Sequence, residues 1–452
     1  MSFPRHAKYM DSGVEWLGQI PSHWAVKRLR FVAELNPSKS EVSHLAADTE
    51  VSFLPMEAIG EDGSLELDRV RPLADVQTGY TFFRDGDVTI AKITPCFENG
   101  KGAAMRDLCN GIGFGTTELI VTRPKATQTT STYLHWLFTS RPFRKAGEAF
   151  MYGAGGQKRV PDDFVRDFAV GFPPLPEQRH IVTFLDREAA KIDALVEEQR
   201  RLIELLKEKR RAAISQAVTK GLDPNAPMKD SGVEWLGKVP AHWVVLRVKD
   251  VARLESGHTP SKTVPEYWEN CTIPWVSLND SKQLAVSDYI TETAFQINEL
   301  GLANSSARML PAGAVVFTRD ATIGLAAITT RPMAVSQHLI AWCPSEDIDA
   351  LYLLRVFDVM KHFLDSTTFG ATIKTIGMAD VKKLVTPVPP RAEQLQIAAT
   401  VGRSIDSIET LVRDAELSVD LLQERRAALI SAAVTGKIDV RGLVPQPEAV
   451  AA

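Results

Sequence analysis

The feature that most constrains the fold of this chain is a long internal repeat. The octapeptide at residues 11–18 returns without change at residues 230–237, which is 219 positions later. A second similarity joins residues 211–219 to residues 427–435, at an offset of 216 positions. Solenoid repeats have periods of roughly 20–50 residues. The much longer offset here indicates a duplicated domain followed by a duplicated connector.

Composition is that of a soluble globular protein of two to four domains. The 452 residues are 44% hydrophobic and 24% charged, and the formal net charge is −4. No apolar run reaches the roughly 18–20 residues that span a bilayer, and the first residues lack a signal-peptide core. We therefore expect a cytoplasmic protein. Its charge argues against binding nucleic acid by bulk attraction alone but leaves room for local basic surfaces.

The cysteines and histidines predict no metal site. Cys96, Cys109, Cys271 and Cys343 form no C-x-x-C pair and do not correspond between the halves. This pattern is typical of reduced, incidental thiols. The nine histidines show no metal-ligand spacing either.

The chain divides into globular and helical segments in alternation. Globular domains are predicted at residues 1–172 and 220–388, spacer helices at 173–219 and 389–436, and a flexible tail at 437–452. Each globular domain has mixed α/β character, with short apolar runs between glycine-rich turns. Predicted strands lie at 88–92, 118–122, 168–172, 314–318, 338–342 and 384–388, and shorter helices at 133–145 and 352–364.

The repeated octapeptide is predicted to form a capped helical turn. Ser12 with Glu15, and Ser231 with Glu234, fit the capping box, in which the two side chains satisfy each other's end of the turn. The glycine that ends each octapeptide supplies a stop. Trp16, Leu17 and Trp24 are predicted to pack rather than to stack on bases, because an identical motif in both halves would not read different nucleic-acid sequences.

Prolines followed by Glu177 and Glu393 mark the start of two long helices, where a carboxylate suits the positive end of the helix dipole. Apolar residues then recur in steps of three and four for about five heptads, in a shared register. The predicted seam consists of Val182, Leu185, Ile192, Val196, Ile203 and Leu206 in the first helix, and Val401, Ile405, Ile408, Val412, Val419 and Leu422 in the second.

The linker between the halves favours antiparallel pairing of these helices. Residues 220–229 span at most about 35 Å, whereas a helix of about 40 residues is about 60 Å long. The second domain therefore begins near the far end of the first helix. If the ends of that domain lie close together, the second helix runs back along the first. The predicted fold is mixed α+β, with two globular domains, an antiparallel coiled coil and pseudo-two-fold symmetry.

Three repeated motifs give the chain a family resemblance. In the first half they read D-S-G-V-E-W-L-G followed by I-P-x-H-W, P-P-L-P-E-Q before the helix, and R-R-A-A-I-S-x-A-V-T-x-G at its end; the second half has V-P-A-H-W, P-P-R-A-E-Q and R-R-A-A-L-I-S-A-A-V-T-G at the corresponding places. Together they resemble the specificity subunit of type I restriction-modification systems. The resemblance implies two target-recognition domains, each reading one half of a split DNA sequence. The paired helices would then hold the domains at a fixed separation.

The resemblance also implies partners and their cofactors. Two methyltransferase subunits would join this chain, using S-adenosylmethionine to methylate adenine. Restriction subunits would add an ATP-dependent nuclease that needs Mg²⁺. We expect no catalytic residue in this chain, since the sequence contains no G-x-x-x-x-G-K-[ST] phosphate loop and no Asn-Pro-Pro-Tyr or Asp-Pro-Pro-Tyr motif.

Polar, glycine-containing loops carry the candidate DNA contacts. Arg, Lys, Asn, Gln and Thr are the side chains that commonly contact bases and phosphates. The candidates are Lys92, Asn99, Lys101, Gln157, Lys158 and Arg159 in the first half, and Arg319, Thr322, Thr372 and Lys374 in the second. Similar loops recur in both halves, so they also fit framework turns. The discriminating residues would then lie in unmatched segments such as 40–80 and 262–305.

Two other classes of function are alternatives to DNA recognition. A coiled-coil adaptor that binds only protein would have no use for polar, glycine-rich loops in both domains. A hydrolytic or nucleotide-modifying enzyme would need catalytic motifs that the sequence lacks.

Overall fold

A computed structural model describes residues 3–154, 156–367 and 375–443 of the chain. Contacts divide the chain into unit 1, Met1–Arg200 with Leu417–Ala452, and unit 2, Arg201–Glu416. Each unit thus contains one globular part and one end of each long helix. The predicted domain boundaries separate helices from globular parts, whereas this division assigns each helix end to the globular part on which it packs.

The globular part of unit 1 combines short strands with short helices. Its strands are β1 (Tyr9–Asp11), β2 (Gln19–Pro21), β3 (Ala25–Arg28), β4 (Ala33–Leu35), β5 (Glu50–Leu54), β6 (Val70–Pro72), β7 (Thr81–Arg84), β8 (Val88–Ala91), β9 (Gly102–Ala104), β10 (Ile112–Gly115), β11 (Leu119–Pro124) and β12 (Ala169–Phe172). Its helices are α1 (Leu29–Val32), α2 (Leu73–Val76), α3 (Ser131–Thr139), α4 (Arg141–Phe150) and α5 (Asp162–Asp167), before the long α6 (Leu175–Lys220).

Two four-stranded sheets form the centre of unit 1. Their strand orders are β6-β5-β10-β7 and β4-β11-β8-β9. β5 and β10 run parallel, and β8 pairs with β11 in antiparallel register. All four residues of β8 are buried, which explains its continuous apolar run.

Unit 2 repeats the same kinds of elements. Its strands are β13 (Met228–Asp230), β14 (Lys238–Pro240), β15 (Val244–Arg247), β16 (Ala252–Ser256), β17 (Ile273–Val276), β18 (Tyr289–Ile290), β19 (Phe295–Ile297), β20 (Val315–Thr318), β21 (Ala326–Thr329), β22 (Ala334–Val335), β23 (Leu339–Pro344) and β24 (Val385–Val388). Its helices are α7 (Val248–Val251), α8 (Ser281–Val286), α9 (Glu299–Ala303), α10 (Ala350–Thr367) and α11 (Met378–Val381), before the long α12 (Arg391–Val434).

The sheets of unit 2 correspond to those of unit 1. A five-stranded sheet has the order β16-β23-β20-β21-β18, and a three-stranded sheet has the order β19-β17-β22. In unit 2, β17 pairs parallel with β22 and antiparallel with β19. In unit 1, β5 in the same way pairs parallel with β10 and antiparallel with β6. The mixed α+β fold predicted from the sequence is confirmed in both units.

The long helices pair in antiparallel fashion within each unit. In unit 1, an early residue of α6, Asp193, forms an ion pair with a late residue of α12, Arg426, with Nε 2.9 Å from Oδ1. In unit 2, a late residue of α6, Ile214, shares an apolar cluster with an early residue of α12, Val401. Early residues of one helix thus meet late residues of the other, as predicted.

The predicted seam faces the interior of the units. Eight of its residues are buried and four are half-buried. The buried ones are Leu185, Ile192, Val196, Ile203, Leu206, Val401, Ile405 and Ile408, and the half-buried ones are Val182, Val412, Val419 and Leu422.

The first turn of each long helix is tied to the repeated segment of the same unit. In unit 1, the Glu177 carboxylate accepts a hydrogen bond from Trp24 Nε1 at 3.1 Å and lies 2.7 Å from His23 Nε2. In unit 2, Glu393 accepts from Trp243 Nε1 at 3.1 Å. These bonds fix the start of each helix against the repeat. The predicted packing is confirmed for Leu17 and Trp24, which are 5% and 2% exposed, whereas Trp16 is 36% exposed and stacks on Phe168.

The predicted capping box is wrong. The octapeptide connects β1 to β2 as the loop of a hairpin, and the side chain of Asp11 accepts a hydrogen bond from the Gly13 amide at 2.9 Å. Gly13 and Gly18 have φ of +66° and +64°, a region that disfavours other residues. A single turn forms, in which the Leu17 and Gly18 amides donate to the Val14 carbonyl at 3.0 Å. Ser12 does not cap it through a capping box, because its amide donates to the Gly18 carbonyl at 2.9 Å and its hydroxyl accepts from the Val14 amide at 3.1 Å.

The structure also differs from the predicted boundaries at two places. The predicted helix 133–145 is two helices, because Ser140 between α3 and α4 is extended at φ −66° and ψ +141°. The beginning of the predicted flexible tail packs on unit 1: Val440 is 2% exposed, and the Asp439 amide donates to the Pro4 carbonyl at 2.8 Å. Residues 444–452 lie outside the described residues. Over the described chain, no helix is both long and apolar enough to cross a membrane.

The burial of the seam predicts that two substitutions on α12 differ in their effect on the free energy of unfolding. Ile405 is 6% exposed and Leu411 is 52% exposed. Ile405→Ala should lower the free energy of unfolding by about 2–5 kcal/mol, since it removes buried methyl groups and leaves a cavity. Leu411→Ala should change it by no more than about 0.5 kcal/mol. Denaturant unfolding of both variants measures this, and equal losses would contradict the burial pattern.

The lowered pKa of His135 predicts that the protein loses stability in acid. Burial lowers the pKa of His135 to about 4, whereas the unfolded chain titrates near about 6.5. Between these values the unfolded state binds a proton that the folded state does not. The free energy of unfolding therefore decreases as the pH falls through this window.

Unfolding at about pH 7 and about pH 5 tests this with a matched pair. His135→Gln should lose less stability between the two pH values than the unsubstituted chain. His44→Gln, at an exposed histidine, should lose as much as the unsubstituted chain. An undiminished loss in His135→Gln would show that His135 is not the source.

Candidate nucleic-acid interface

Two loops predicted to contact DNA lie side by side in unit 1. The amide of Thr94, after β8, donates to the Lys158 carbonyl at 3.0 Å, and the Lys158 amide donates to Thr94 Oγ1 at 3.0 Å. The amide of Val160 donates to the Lys92 carbonyl at 2.8 Å. Residues far apart in sequence are thus held together at the end of β8.

A third segment, which the sequence analysis missed, completes this site. The Lys92 amide donates to the Glu118 carbonyl at 2.8 Å. The Glu118 carboxylate accepts from Arg159, with Nη2 2.7 Å from Oε1 and Nε 2.9 Å from Oε2. Glu118 directly precedes β11, so the signal was a polar residue at the start of a predicted strand.

The cations of this site differ in how they are held. Hydrogen bonds from Arg159 lower the pKa of Glu118, and this ion pair commits Arg159 to the framework of the site. Gln157 and Lys158 are exposed and Lys92 is half-buried. Among the described contacts, none engages the side-chain polar group of Lys158 or Gln157. These two side chains are therefore available to a ligand.

Asn99 and Lys101 lie at a different part of unit 1. Asn99 Nδ2 donates to Glu61 at 2.7 Å, and Lys101 Nζ donates to the Met56 carbonyl at 2.9 Å. Asn99 borders a groove of about 900 Å³ whose lining includes Asp193 and Arg426 of the long helices. The six predicted residues of the first half therefore do not form one surface.

Unit 2 repeats the backbone arrangement of the site. Arg319 follows β20 as Lys92 follows β8, and its amide donates to the His338 carbonyl at 3.0 Å. Its carbonyl accepts from the Ile376 amide at 2.9 Å. The same backbone exchange therefore joins three segments in each unit.

The side chains of the two sites differ although the backbones match. In unit 2, His338 occupies the place of Glu118, and its Nδ1 lies 2.7 Å from Asp320 Oδ2. Arg319 is partly exposed, with Nε 3.8 Å from Asp320 Oδ1. Unit 1 thus presents an Arg–Glu pair with free cations, and unit 2 presents a His–Asp pair.

The remaining candidates of the second half are placed only in part. Thr322 is exposed, and its carbonyl accepts from Thr318 Oγ1 at 2.5 Å. Thr372 and Lys374 lie outside the described residues.

One group of side chains has the composition of a metal site. The potential ligand atoms of His6, His23 and Glu177 lie within 4.8 Å of one another. Unit 2 repeats the imidazole–carboxylate contact between His242 and Glu393 at 2.9 Å, but Asn225 stands 219 positions after His6. Because the pair recurs without the third ligand, we interpret it as the structural tie between helix and repeat.

Part of the chain matches a known family of protein domains. A family model described as "Type I restriction modification DNA specificity domain" matches residues 240–417. The Escherichia coli type I restriction enzyme EcoAI specificity subunit is 46% identical over 166 residues, covering 36% of this chain and 28% of the relative. The Escherichia coli EcoEI specificity subunit is 40% identical over 166 residues, covering 36% and 27%. The chain thus matches less than a third of the length of these relatives.

A solved structure shows the same fold along most of the chain. It comes from work on complex assembly and conformational transition of the type I R-M system. It superposes with a TM-score of 0.74 at 19% identity, covering 92% of this chain and 98% of that chain. Residues 240–417 therefore match a type I restriction modification DNA specificity domain, and the fold along most of the chain is that of this solved structure.

Proposed function

We propose that this chain is the DNA-reading, non-catalytic subunit of a type I restriction-modification complex, and that each unit reads one half of a split target. The observation that carries this proposal is a conserved backbone site with different side chains in the two units. The same hydrogen bonds place Glu118 beside Arg159 in unit 1 and His338 beside Asp320 in unit 2. A shared scaffold with different polar groups suits two half-sites of different sequence.

The candidate contacts carry over to this proposal with separate roles. Lys92, Gln157 and Lys158 would face the DNA in unit 1, and Arg319 and Thr322 in unit 2. Cations position a protein on phosphates, while amide and hydroxyl groups can read base edges.

Partner subunits would dock on the long helices. Leucines on the outer faces of α6 and α12 are more than two-fifths exposed. Unit 1 presents Leu195, Leu417 and Leu421, and unit 2 presents Leu202, Leu205 and Leu411. Clusters of exposed apolar side chains mark protein interfaces. Their occurrence in both units suits two copies of one methyltransferase subunit, with restriction subunits joining that assembly.

The chemistry is assigned to these partners. S-adenosylmethionine, ATP and Mg²⁺ would bind to the methyltransferase and restriction subunits, and this chain would supply target choice and the scaffold. The continuous helices would set the gap between the half-sites. Because the ligand is cellular DNA, the proposed location is the cytoplasm.

The exposed leucines also suit the alternative function, a coiled-coil adaptor that binds protein without reading DNA. Both functions predict partner binding, so partner binding does not separate them. Only DNA recognition predicts that the chain chooses which bases are methylated.

Methylation mapping tests the proposal directly. The chain is co-expressed with its methyltransferase partner, and methylated adenines are mapped across the host genome. We expect two short half-sites separated by a fixed gap, and loss of this methylation when the chain is omitted. Methylation that persists unchanged without the chain would refute DNA recognition and leave the adaptor function.

Removing one exposed cation should weaken DNA binding in a salt-dependent way. We expect Lys158→Ala to lower the affinity of the methyltransferase complex for target DNA, and to reduce the slope of log affinity against log salt by about 1. Lys209→Ala, at an exposed lysine of α6, is the matched control and should change neither. Unaltered affinity and slope in Lys158→Ala would place residues 157–159 outside the interface.

A further inference from the structure

Unit 2 contains an aromatic pocket beside its candidate DNA site. The pocket has a volume of about 720 Å³, and its walls include Trp268, Trp275 and Phe295. Ser336 and His338, from the segment that joins β22 to β23, also line it. The pocket therefore opens next to the residues proposed to face DNA. Its aromatic walls come from the unmatched segment 262–305, where the sequence analysis placed the discriminating residues.

The aromatic walls are held in fixed orientations. The Trp268 and Trp275 rings are 5.5 Å apart at an interplanar angle of 81°. Trp268 Nε1 donates to the Ser261 carbonyl at 3.1 Å, and Trp275 Nε1 donates to the His258 carbonyl at 3.1 Å. Because the indole N–H groups are already bonded to the backbone, the aromatic wall offers a ligand apolar surface, which comes from the half-buried Trp268 and from Phe295, 49% exposed, whereas Trp275 is only 5% exposed.

The polar end of the pocket contains an unpartnered hydroxyl. Ser336 is fully buried, and its Oγ has no hydrogen-bond partner within the described structure. Leaving a buried polar group unpaired is unfavourable by about 1–3 kcal/mol. The exposed amides of Asn279 and Gln337 also line the pocket. A ligand with donors and acceptors along one edge would satisfy this end.

The charges at the pocket cancel. Lys262 and Glu269 both line it, and the His338 imidazole is held by Asp320. A balanced rim gives little attraction for a free phosphate, and polar groups at one end disfavour a purely aliphatic ligand. Flat walls with a hydrogen-bonding end fit an uncharged planar heterocycle.

We propose that this pocket takes up one nucleobase that has left the base stack of the DNA target. The inference rests on the proposed DNA-reading function and adds the way in which unit 2 reads its half-site. An unstacked base would lie against Trp268 and Phe295, with its polar edge at Ser336. Aromatic walls and hydrogen bonds to the base edge are what holds extruded bases in proteins.

The corresponding place in unit 1 is closed to such a ligand. Phe53 on β5 corresponds to Trp275 on β17. β5 pairs parallel with β10 and β17 pairs parallel with β22, and β10 and β22 each precede the site segment of their unit. The Arg71 guanidinium covers the Phe53 ring at 4.0 Å from its centroid, and Tyr80 packs against it at 5.0 Å. Base uptake is therefore assigned to unit 2.

Duplexes with one extrahelical base test this inference. The full chain is titrated, at low salt, with a fully paired duplex and with four duplexes that each carry one extrahelical base, A, C, G or T. At least one extrahelical duplex should bind about tenfold more tightly than the paired duplex, because its base is already unstacked and one stacking contact accounts for such a factor.

Three variants separate base uptake from folding. Trp268→Ala should reduce the preference to below about twofold, a loss of the stacking contact. Ser336→Ala should also reduce the preference, yet fold at least as stably as the unsubstituted chain because it removes an unpartnered hydroxyl. Tyr289→Ala, at an aromatic residue outside the pocket lining that is 47% exposed, should retain the preference.

Two results would overturn the inference. One is equal binding of paired and extrahelical duplexes by the unsubstituted chain. The other is binding of free adenosine, cytidine, guanosine or thymidine, abolished by Trp268→Ala, without any preference among duplexes, which would assign the pocket to a free nucleoside. Either result leaves the proposed function intact if omission of the chain still abolishes methylation at a split motif. If methylation is indifferent to the chain, the proposed function itself fails.

Discussion

A carboxylate in the first turn of each long helix, buried at Glu177 and half-buried at Glu393, joins the parts of the molecule. Glu177 and Glu393 accept hydrogen bonds from the tryptophans of the two repeated segments. The next residue, Gln178 or Gln394, is fully buried and donates to the backbone just before the helix. These bonds use a helix end whose backbone amides need partners and whose dipole favours negative charge. They fix the direction in which each helix leaves its globular part.

These hydrogen bonds at the start of each helix explain why some residues recur in both halves of the sequence while others differ. Its residues recur in both halves because both helices must leave their globular parts in the same way. The site residues are free to differ, since main-chain hydrogen bonds hold the site segments together. Glu118 and His338 show this: each carbonyl accepts the same backbone bond, while the side chains bind an arginine and an aspartate respectively. Main-chain atoms thus hold the site segments together, while side-chain atoms determine the polar groups that each site presents.

The sequence predicted those elements whose signal lies in periodicity. The seam and the strands around residues 90, 120 and 316 follow from apolar spacing, which burial enforces directly. The octapeptide was misread because Ser-x-x-Glu resembles a cap, while the left-handed glycines that decide for a hairpin leave no distinctive pattern. Ser140 ends the first of two helices just before Pro142, which lies in the first turn of α4; that proline was the local signal for a helix boundary, and the helical spacing across it was misleading. The third site segment and the aromatic pocket depend on contacts between residues distant in sequence, such as Lys92 with Glu118, which no local pattern encodes.

The composition of unit 1 has a consequence for synthesis of the protein. Its apolar core includes Leu185 and Ile192 together with Leu429 and Val440, so it draws on both ends of the chain. Unit 2 is one continuous segment and can finish folding while the ribosome is still at work. At about 5–20 residues per second, the residues that complete unit 1 emerge roughly 10–50 s after its first segment. During that interval the nascent chain holds an apolar surface open, and a cell must protect it until the last helix arrives.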